Sequence, residues 1–389
     1  MANIIKIQVV VFALVAASFT NIYLPQPVLP ILQSEFQISP VQASFSVSFV
    51  ILGIVLSNLF FGYLSDRYPV KPIILAGGVF VAAGGFICSV THSYSVLVAC
   101  RLLQGLFIPA LTTSIAAWLS RSLPAERLSS VMGAYVSATI FGGLGGRLLG
   151  GWIHPPLHWR YAFVTAAVFV LVTVVMAMVV LPASGKDEIA AARTSNGKET
   201  YASLLRKKEL LLIYACGAGS LLIFSPVFNY LPYRLSSTPF NLATETITLV
   251  YLVYVLGIFL GPLAGKLSSR VGGGVMLLFS SILLGLSLLL LLLPSMLAVI
   301  IGLLGVCAGF FTLHTVAVVL LNRKLTCSHG KANALYVLFY YTGGWLGLTG
   351  AGFAYEYADW RGVIVFLATF LVVPLSAGVF EHRVELRNK

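Results

Sequence analysis

The stretch LLGLSLLLLLL, residues 283–293, decides the fold class. It carries no charge and shows no alternation of polar and apolar side chains, whereas a transmembrane β-strand alternates over about ten residues. Apolar stretches of this kind recur from one end of the chain to the other, and a helix needs roughly 20 such residues to cross a bilayer. The sequence therefore predicts an all-α membrane protein that crosses the bilayer many times.

Twelve apolar spans follow one another, separated by short polar or turn-rich breaks. They cover about residues 7–31, 41–63, 72–91, 94–118, 128–152, 159–182, 209–231, 241–266, 273–293, 296–321, 332–354 and 360–381. The longest break is polar and charged, as a linker should be. We therefore expect a six-helix bundle at 1–182, a cytoplasmic linker at 183–208 and a second six-helix bundle at 209–389.

The composition excludes a water-soluble globule. Of the 389 residues, 59% are hydrophobic and only 9% are charged, against roughly 25% charged in soluble domains. The five cysteines include no C-x-x-C pair, so we interpret them as small hydrophobic residues of buried helices. No nucleotide-binding G-x-x-x-x-G-K-[ST] loop, catalytic triad or metal-ligand cluster is present, which argues against an ATP-driven pump, an enzyme or a cofactor.

The net charge of +12 is explained by topology. Nineteen of the 24 Lys and Arg residues lie in breaks on one side, three (Arg160, Arg234 and Arg361) lie on the other, and Arg101 and Arg147 lie inside spans. Because cytoplasmic loops carry the basic excess, both termini are predicted to be cytoplasmic. This distribution argues against nucleic-acid binding.

The two halves are an internal repeat. Glycines and a Trp-Arg pair recur at an offset of 201 residues: Gly142 and Gly343, Gly146 and Gly347, Gly151 and Gly352, Trp159 and Trp360, Arg160 and Arg361, Tyr135 and Tyr336. Residues 62–67 match 265–270 at an offset of 203. Since each half has an even number of helices, the repeats share one orientation, an arrangement typical of alternating-access transporters.

Three motifs resemble those of the major facilitator superfamily. GYLSDRYPVKP, residues 62–72, resembles its loop signature G-x-L-x-D-R-x-G-R-K, with Pro69 and Val70 in place of Gly and Arg. RLLQG, residues 101–105, is similar to its R-x-x-Q-G pattern. GGLGGRLLGG, residues 142–151, resembles the antiporter motif G-x-x-x-G-P-x-x-G-G, with Arg147 in place of proline. The resemblance covers essentially the whole chain and is nearest to the twelve-helix drug:proton antiporter and efflux branch.

The resemblance implies roles for two of these motifs. The first, with Gly62, Asp66 and Arg67, would be a cytoplasmic gate latch that stabilises the outward-facing state; the alternative is a solvated loop pair that contributes about 0–1 kcal/mol. Its counterpart, with Ser269 in place of aspartate, should keep only the turn and Arg270. The helix-packing glycines let backbones approach closely, and we expect them to pack on a helix of the opposite half. They are Gly142, Gly146, Gly150 and Gly151.

The ionisable groups inside the spans are Arg101, Arg147 and His314, and no carboxylate falls at the centre of a span. An arginine there costs at least about 2.5 kcal/mol, so Arg101 should face a wet cavity or a partner. It is a substrate or coupling residue, or else a structural arginine that holds helix ends. Arg147 binds substrate or reaches the outer surface. His314 carries a proton, or stays neutral and hydrogen-bonded between helices.

The remaining substrate candidates are polar or aromatic residues on cavity-lining spans of the family that this chain resembles. They are Asn21, Tyr23, Gln26, Gln104, Tyr214, Phe224, Asn229, Tyr336 and Tyr340. Such a lining suits amphipathic organic molecules, whereas aromatics that face lipid are the simpler alternative.

Together these features predict a monomeric inner-membrane secondary transporter that works by alternating access. The first prediction for its function is proton-coupled efflux of a small organic molecule. Buried cations without a carboxylate favour a second possibility, uptake or exchange of a small anion held by the arginines. A membrane receptor that binds without moving solute is a third.

Overall fold

The computed structural model describes residues 2–154, 156–182, 200–325 and 328–387. Across these ranges the regular structure is helical and contains no strand. Each of the twelve predicted spans falls on helix, so the all-α prediction is confirmed. The predicted linker lies outside the described residues up to 199, and its last part carries a short helix.

Fifteen α-helices make up the described parts of the chain. They are α1 (Ala2–Tyr23), α2 (Leu29–Phe36), α3 (Pro40–Ser65), α4 (Val70–Val90), α5 (Tyr94–Ser122), α6 (Ala125–Ile153), α7 (Arg160–Val180), α8 (Tyr201–Arg206), α9 (Lys208–Ser236), α10 (Thr244–Val250), α11 (Leu256–Val271), α12 (Gly273–Leu290), α13 (Met296–Arg323), α14 (His329–Thr369) and α15 (Val372–Arg387). Two 3₁₀ turns, Gln26–Val28 and Tyr251–Val255, join α1 to α2 and α10 to α11.

Ten helical stretches of the described chain are long and apolar enough to cross a membrane. The predicted spans 332–354 and 360–381 share one of them, His329–Arg387, which is interrupted where Ala358 and Asp359 leave the helical conformation. The predicted span 128–152 corresponds to α6, which is not among the ten. It carries Arg147 and a run of glycines, which contribute little apolar surface.

The chain packs as two compact units. The first takes in the described residues of Met1–Val28 and Phe45–Asn196, and the second those of Leu29–Ser44 and Gly197–Lys389. Corresponding helices pair within each unit: α1 with α6, α4 with α5 and α4 with α7 in the first, and α9 with α14, α12 with α13 and α12 with α15 in the second. The internal repeat is therefore a repeat of helix packing.

Glycines allow α6 to lie directly on α1. A Cβ added at Gly142 or Gly146 would fall on backbone atoms of α1, and one at Gly150 on the backbone of Leu24 just after α1, closer than real side chains approach. The partner of this glycine run is thus a helix of the same unit. The prediction that it packs on the opposite half was wrong, because glycine spacing reports a close neighbour without saying which helix that neighbour is.

The second unit repeats this contact. Gly343 and Gly347 of α14 leave no room for a Cβ against the backbone of Ala218 and Leu222 in α9. The shared glycines therefore allow the same kind of close helix contact in both units.

Candidate functional site

Arg101 is buried in the first unit and bonded to the protein on every nitrogen. Its Nε donates to the carbonyl of Ser46 at 2.6 Å, Nη1 to Oε1 of Gln104 at 2.6 Å and Nη2 to the carbonyl of Ile22 at 2.9 Å. Ile22 lies in the last turn of α1, where helical carbonyls have no partner further along the helix. Arg101 thus joins α1, α3 and α5, as the structural alternative for this residue requires.

Gln104 and Asn21 extend the Arg101 network. The amide Nε2 of Gln104 donates to the carbonyl of Val81 at 2.9 Å and to Oδ1 of Asn21 at 3.4 Å. Asn21 in turn donates to the carbonyl of Ala17 at 2.9 Å. Both side chains are fully buried, so their polar atoms are used within the protein.

Arg147 forms a second cluster at the break after α1. Its Nε donates to Oε1 of Gln26 at 2.7 Å, Nη1 donates to the carbonyl of Gly143 at 2.7 Å, and its Cζ lies 4.2 Å from the ring centre of Tyr23. Arg147 is 1% exposed, whereas Tyr23 is partly exposed. The structure thus brings the predicted candidates Tyr23, Gln26 and Arg147 together, and the guanidinium of Arg147 is buried among them.

The second unit holds a continuous aromatic cluster. Phe224 of α9 stacks on Phe310 of α13 with ring centres 3.7 Å apart, and Phe228 meets Tyr254 at 4.6 Å. Phe311 closes against Phe224 at 5.8 Å. We call this set, together with His314, Tyr336 and Tyr340, the aromatic cluster.

His314 is the ionisable imidazole of the aromatic cluster. Its Nδ1 shares a hydrogen bond of 3.0 Å with the hydroxyl of Tyr336, and its ring lies 4.8 Å from that of Tyr340 and 5.9 Å from that of Phe310. Tyr336 is buried, with its ring in a space that Gly217 leaves open, whereas His314, Tyr340 and Phe311 are partly exposed. An imidazolium at this position would face aromatic rings, which stabilise a cation.

Two predicted candidates of α9 make other contacts. Tyr214 is buried and packs on Phe339 with ring centres 5.5 Å apart. Asn229 is buried and donates to the hydroxyl of Ser44 at 2.9 Å.

The predicted gate motif contacts α5 of its own unit. Asp66 pairs with Arg121, Oδ1 to Nη1 at 2.8 Å, and Arg121 also donates to the carbonyl of Ser65 at 2.9 Å. Burial raises the pKa of Asp66, and the charge of Arg121 lowers it by less, so the net shift is upward. Arg67 is exposed and lies over the ring of Tyr63, 4.2 Å from its centre.

The second unit replaces this pair by a different set of charges. Lys324 pairs with Glu381 at 3.0 Å and with Glu209 at 3.3 Å. Burial lowers the pKa of Lys324, but the hydrogen bonds and charges of Glu381 and Glu209 outweigh it and raise the pKa overall.

Glu385 completes this set of charges. It accepts from the backbone nitrogen of Gly273 at 2.7 Å and so caps the start of α12. This acidic cap stands near the turn where Ser269 replaces the aspartate of the first unit.

Sequence reasoning missed Arg121, Lys324, Phe310 and Phe311 as members of these clusters. A signal for the aromatic residues was present, since Phe224 and Phe228, Phe310 and His314, and Tyr336 and Tyr340 are each four residues apart on a helix.

The sequence profile of the Major Facilitator Superfamily matches residues 11–324, most of the chain. The chain belongs to this superfamily. Its helical fold, repeated packing and three motifs agree with that assignment, and the superfamily and the relatives of this chain are transporters rather than enzymes.

Known proteins resemble this transporter along its length. It is 29% identical over 378 residues to the inner membrane transport protein YnfM of Escherichia coli K12, covering 97% of this chain and 91% of that protein. It is 25% identical over 251 residues to the cis,cis-muconate transport protein of Acinetobacter baylyi, 61% of each chain. Its fold matches a bacterial homologue of the human lysosomal transporter Spinster, inward-facing and unoccupied, with a TM-score of 0.79, 13% identity, and coverage of 100% and 98% of the two chains.

Proposed function

We propose that this transporter couples the export of a small organic molecule to proton entry, and that the aromatic cluster of the second unit contacts the substrate. The single observation that carries the proposal is the His314–Tyr336 hydrogen bond inside that cluster. It places an imidazole, a group that can take up and release a proton, beside partly exposed aromatic faces.

The partly exposed rings suit a substrate with an apolar or aromatic portion. Tyr340, Tyr341 and Phe311 are partly exposed and present ring faces and edges that could stack on such molecules. Substrate specificity would then depend on ring shape rather than on a fixed charge.

His314 would carry the proton. Its protonated ring would be held by the rings of Phe310 and Tyr340 and by the hydroxyl of Tyr336, whereas the neutral ring leaves the site open to an uncharged or cationic substrate. Proton and substrate would therefore exclude each other, as an antiporter requires. Asp66 and Arg67 would act as the cytoplasmic gate in the same scheme.

Orientation and assembly belong to the same proposal. The basic excess on one side supports an inner-membrane protein with both termini in the cytoplasm. We propose that it works as a monomer.

A small anion is the second candidate substrate, favoured by the similarity to the cis,cis-muconate transport protein of Acinetobacter baylyi. The guanidinium of Arg101 is fully used in holding helices. In this alternative the positive charge of Arg147 would attract the anion, since its cluster includes the partly exposed Tyr23.

A flux screen in proteoliposomes with an imposed pH gradient of either sign tests the proposal. We expect flux of an uncharged or cationic aromatic compound against the proton gradient. In His314→Gln, pH-driven flux should be lost while substrate counterflow is kept, and His92→Gln, which changes an exposed histidine, should behave as wild type. Retained proton coupling in His314→Gln would contradict the proposal, and flux of small carboxylates alone would favour the anion alternative.

A further inference from the structure

The second unit contains a cavity of about 470 Å³ for which the proposed transport cycle has no use. Its wall includes Arg234 in the last turn of α9, Pro239 beyond it, Pro294 before α13, and the residues Asp359 to Arg361 at the break in α14. Cavities of this size hold small ligands when a few polar groups converge on an apolar wall.

Both arginines of this cavity lack an acceptor. The Nε of Arg234 is buried without a hydrogen-bond partner, and the guanidinium lies over Phe240, 5.1 Å from the ring centre. Within the part of the chain that the structure describes, neither guanidinium forms an ion pair or donates a hydrogen bond, although Asp359 lines the same cavity. The buried Nε of Arg234 is costly to leave unpaired, and the exposed guanidinium of Arg361 adds a second positive charge to the same cavity, so this arrangement favours an anion.

The backbone at the cavity is strained. Asp359 has φ +48° and ψ −146°, a region that side chains other than glycine rarely occupy. Trp360 fixes the next position, because its Nε1 donates to the carbonyl of Leu291 at 2.8 Å. Strain of this kind concentrates at ligand sites, where the surrounding structure holds it in place.

The first unit holds its own Trp-Arg pair differently. Arg160, the counterpart of Arg361, donates from Nη2 to the carbonyl of Thr91 at 2.9 Å and lies over Trp159, 4.5 Å from the ring. Thr91 follows α4, and Pro294 holds the corresponding place after α12. In the second unit that carbonyl contact is missing, and Arg361 is exposed at the cavity instead.

We propose that Arg234 and Arg361 form a binding site for an anionic group, a carboxylate or phosphate, whose attached apolar atoms lie on Pro239, Pro294 and Trp360. Both arginines belong to the sparsely charged side of the chain, the predicted outer face. The anionic group belongs either to a phospholipid headgroup or to a small free anion.

The test uses the purified full-length protein in nanodiscs, with the melting temperature as the measure of binding. Phosphate is titrated in phosphatidylcholine nanodiscs, and phosphatidylglycerol nanodiscs are compared with phosphatidylcholine ones. Stabilisation by phosphate identifies a free-anion site, and stabilisation by phosphatidylglycerol alone identifies a headgroup site. Arg234→Gln and Arg361→Gln should each lower the affinity for the stabilising probe about tenfold, since each variant loses a charge-assisted contact.

The controls separate binding from folding and from general charge. Arg270→Gln removes an exposed arginine of the same unit outside the cavity and should respond as wild type. Arg361→Lys keeps the charge and should keep part of the response. The proposal would be overturned if neither phosphate nor phosphatidylglycerol stabilised the protein. It would also be overturned if folded Arg234→Gln and Arg361→Gln responded fully as wild type.

Discussion

The two units share their backbone packing but fill equivalent positions differently. Equivalent positions differ by 202 residues between α1 and α9, where the glycines contact Ala16 and Ala218, by 204 between α5 and α13, where Gly105 matches Gly309, and by 201 between α6 and α14. At these offsets, polar residues of the first unit correspond to small or apolar ones in the second: Arg101 to Gly305, Gln104 to Ala308, Gln26 to Phe228 and Arg147 to Leu348. Conversely, His314 corresponds to Ala110 and Tyr340 to Thr139. A repeated scaffold has thus acquired a hydrogen-bonded polar interior in one copy and an aromatic one in the other, which supports a division between holding helices and contacting substrate.

Among the substitutions that test this comparison, the largest loss of stability is expected at Arg101. Arg101→Ala removes three hydrogen bonds and leaves the carbonyls of Ser46 and Ile22 and the amide of Gln104 without their donor. Each buried group left unsatisfied costs about 1–3 kcal/mol, so the melting temperature in detergent should fall steeply. Unchanged stability with lost substrate binding would instead make Arg101 a substrate residue.

The shared glycines should respond alike in both units. Gly146→Val and Gly347→Val place side chains on the backbones of α1 and α9, and overpacking of this kind costs about 1–3 kcal/mol. Gly133→Ala is the matched control, because nothing lies within 4 Å of its added Cβ. Thermal unfolding of the three variants measures this, and a large loss in only one unit would break the equivalence of the two packings.

The smallest effects on stability are expected at the two charged pairs, Asp66–Arg121 in the first unit and Lys324–Glu381 in the second. Asp66→Asn should not lower stability, because the raised pKa means that ionised Asp66 is disfavoured in the folded state. For the same reason, the stability of the wild-type protein should rise as the pH falls through that pKa. The raised pKa of Lys324 has the opposite meaning, since its stabilising contribution is present at neutral pH and is lost as pH rises above about 10.5.

Lys324→Met should therefore cost stability, about 1–3 kcal/mol, by leaving the buried Glu381 without its cation. Thermal unfolding of both variants at pH 7 makes the comparison. A greater loss in Asp66→Asn would mean that the first pair is the structural one.

Much of the fold could be predicted from sequence, because apolar length and repeated glycines report it directly. The polar interior of the first unit could not be predicted, since one acceptor of Arg101 is the carbonyl of Ile22, which becomes available only where α1 ends. For the same reason, the helices that the glycines contact and the Asp66–Arg121 pair could not be predicted from the sequence. The aromatic cluster could be predicted in part, because pairs of its members lie four residues apart on α9, α13 and α14.

The central claim is that the second unit contacts the substrate while the buried arginines hold the first unit together. Its most direct test is the affinity, per folded molecule, of the compound found in the flux screen for Tyr340→Ala and for Arg101→Gln, with exposed Tyr357→Ala as a control. We predict that Tyr340→Ala weakens binding about tenfold, the value of one aromatic contact of about 1.4 kcal/mol, while Arg101→Gln retains wild-type affinity. Wild-type affinity in Tyr340→Ala together with loss in Arg101→Gln would contradict the claim.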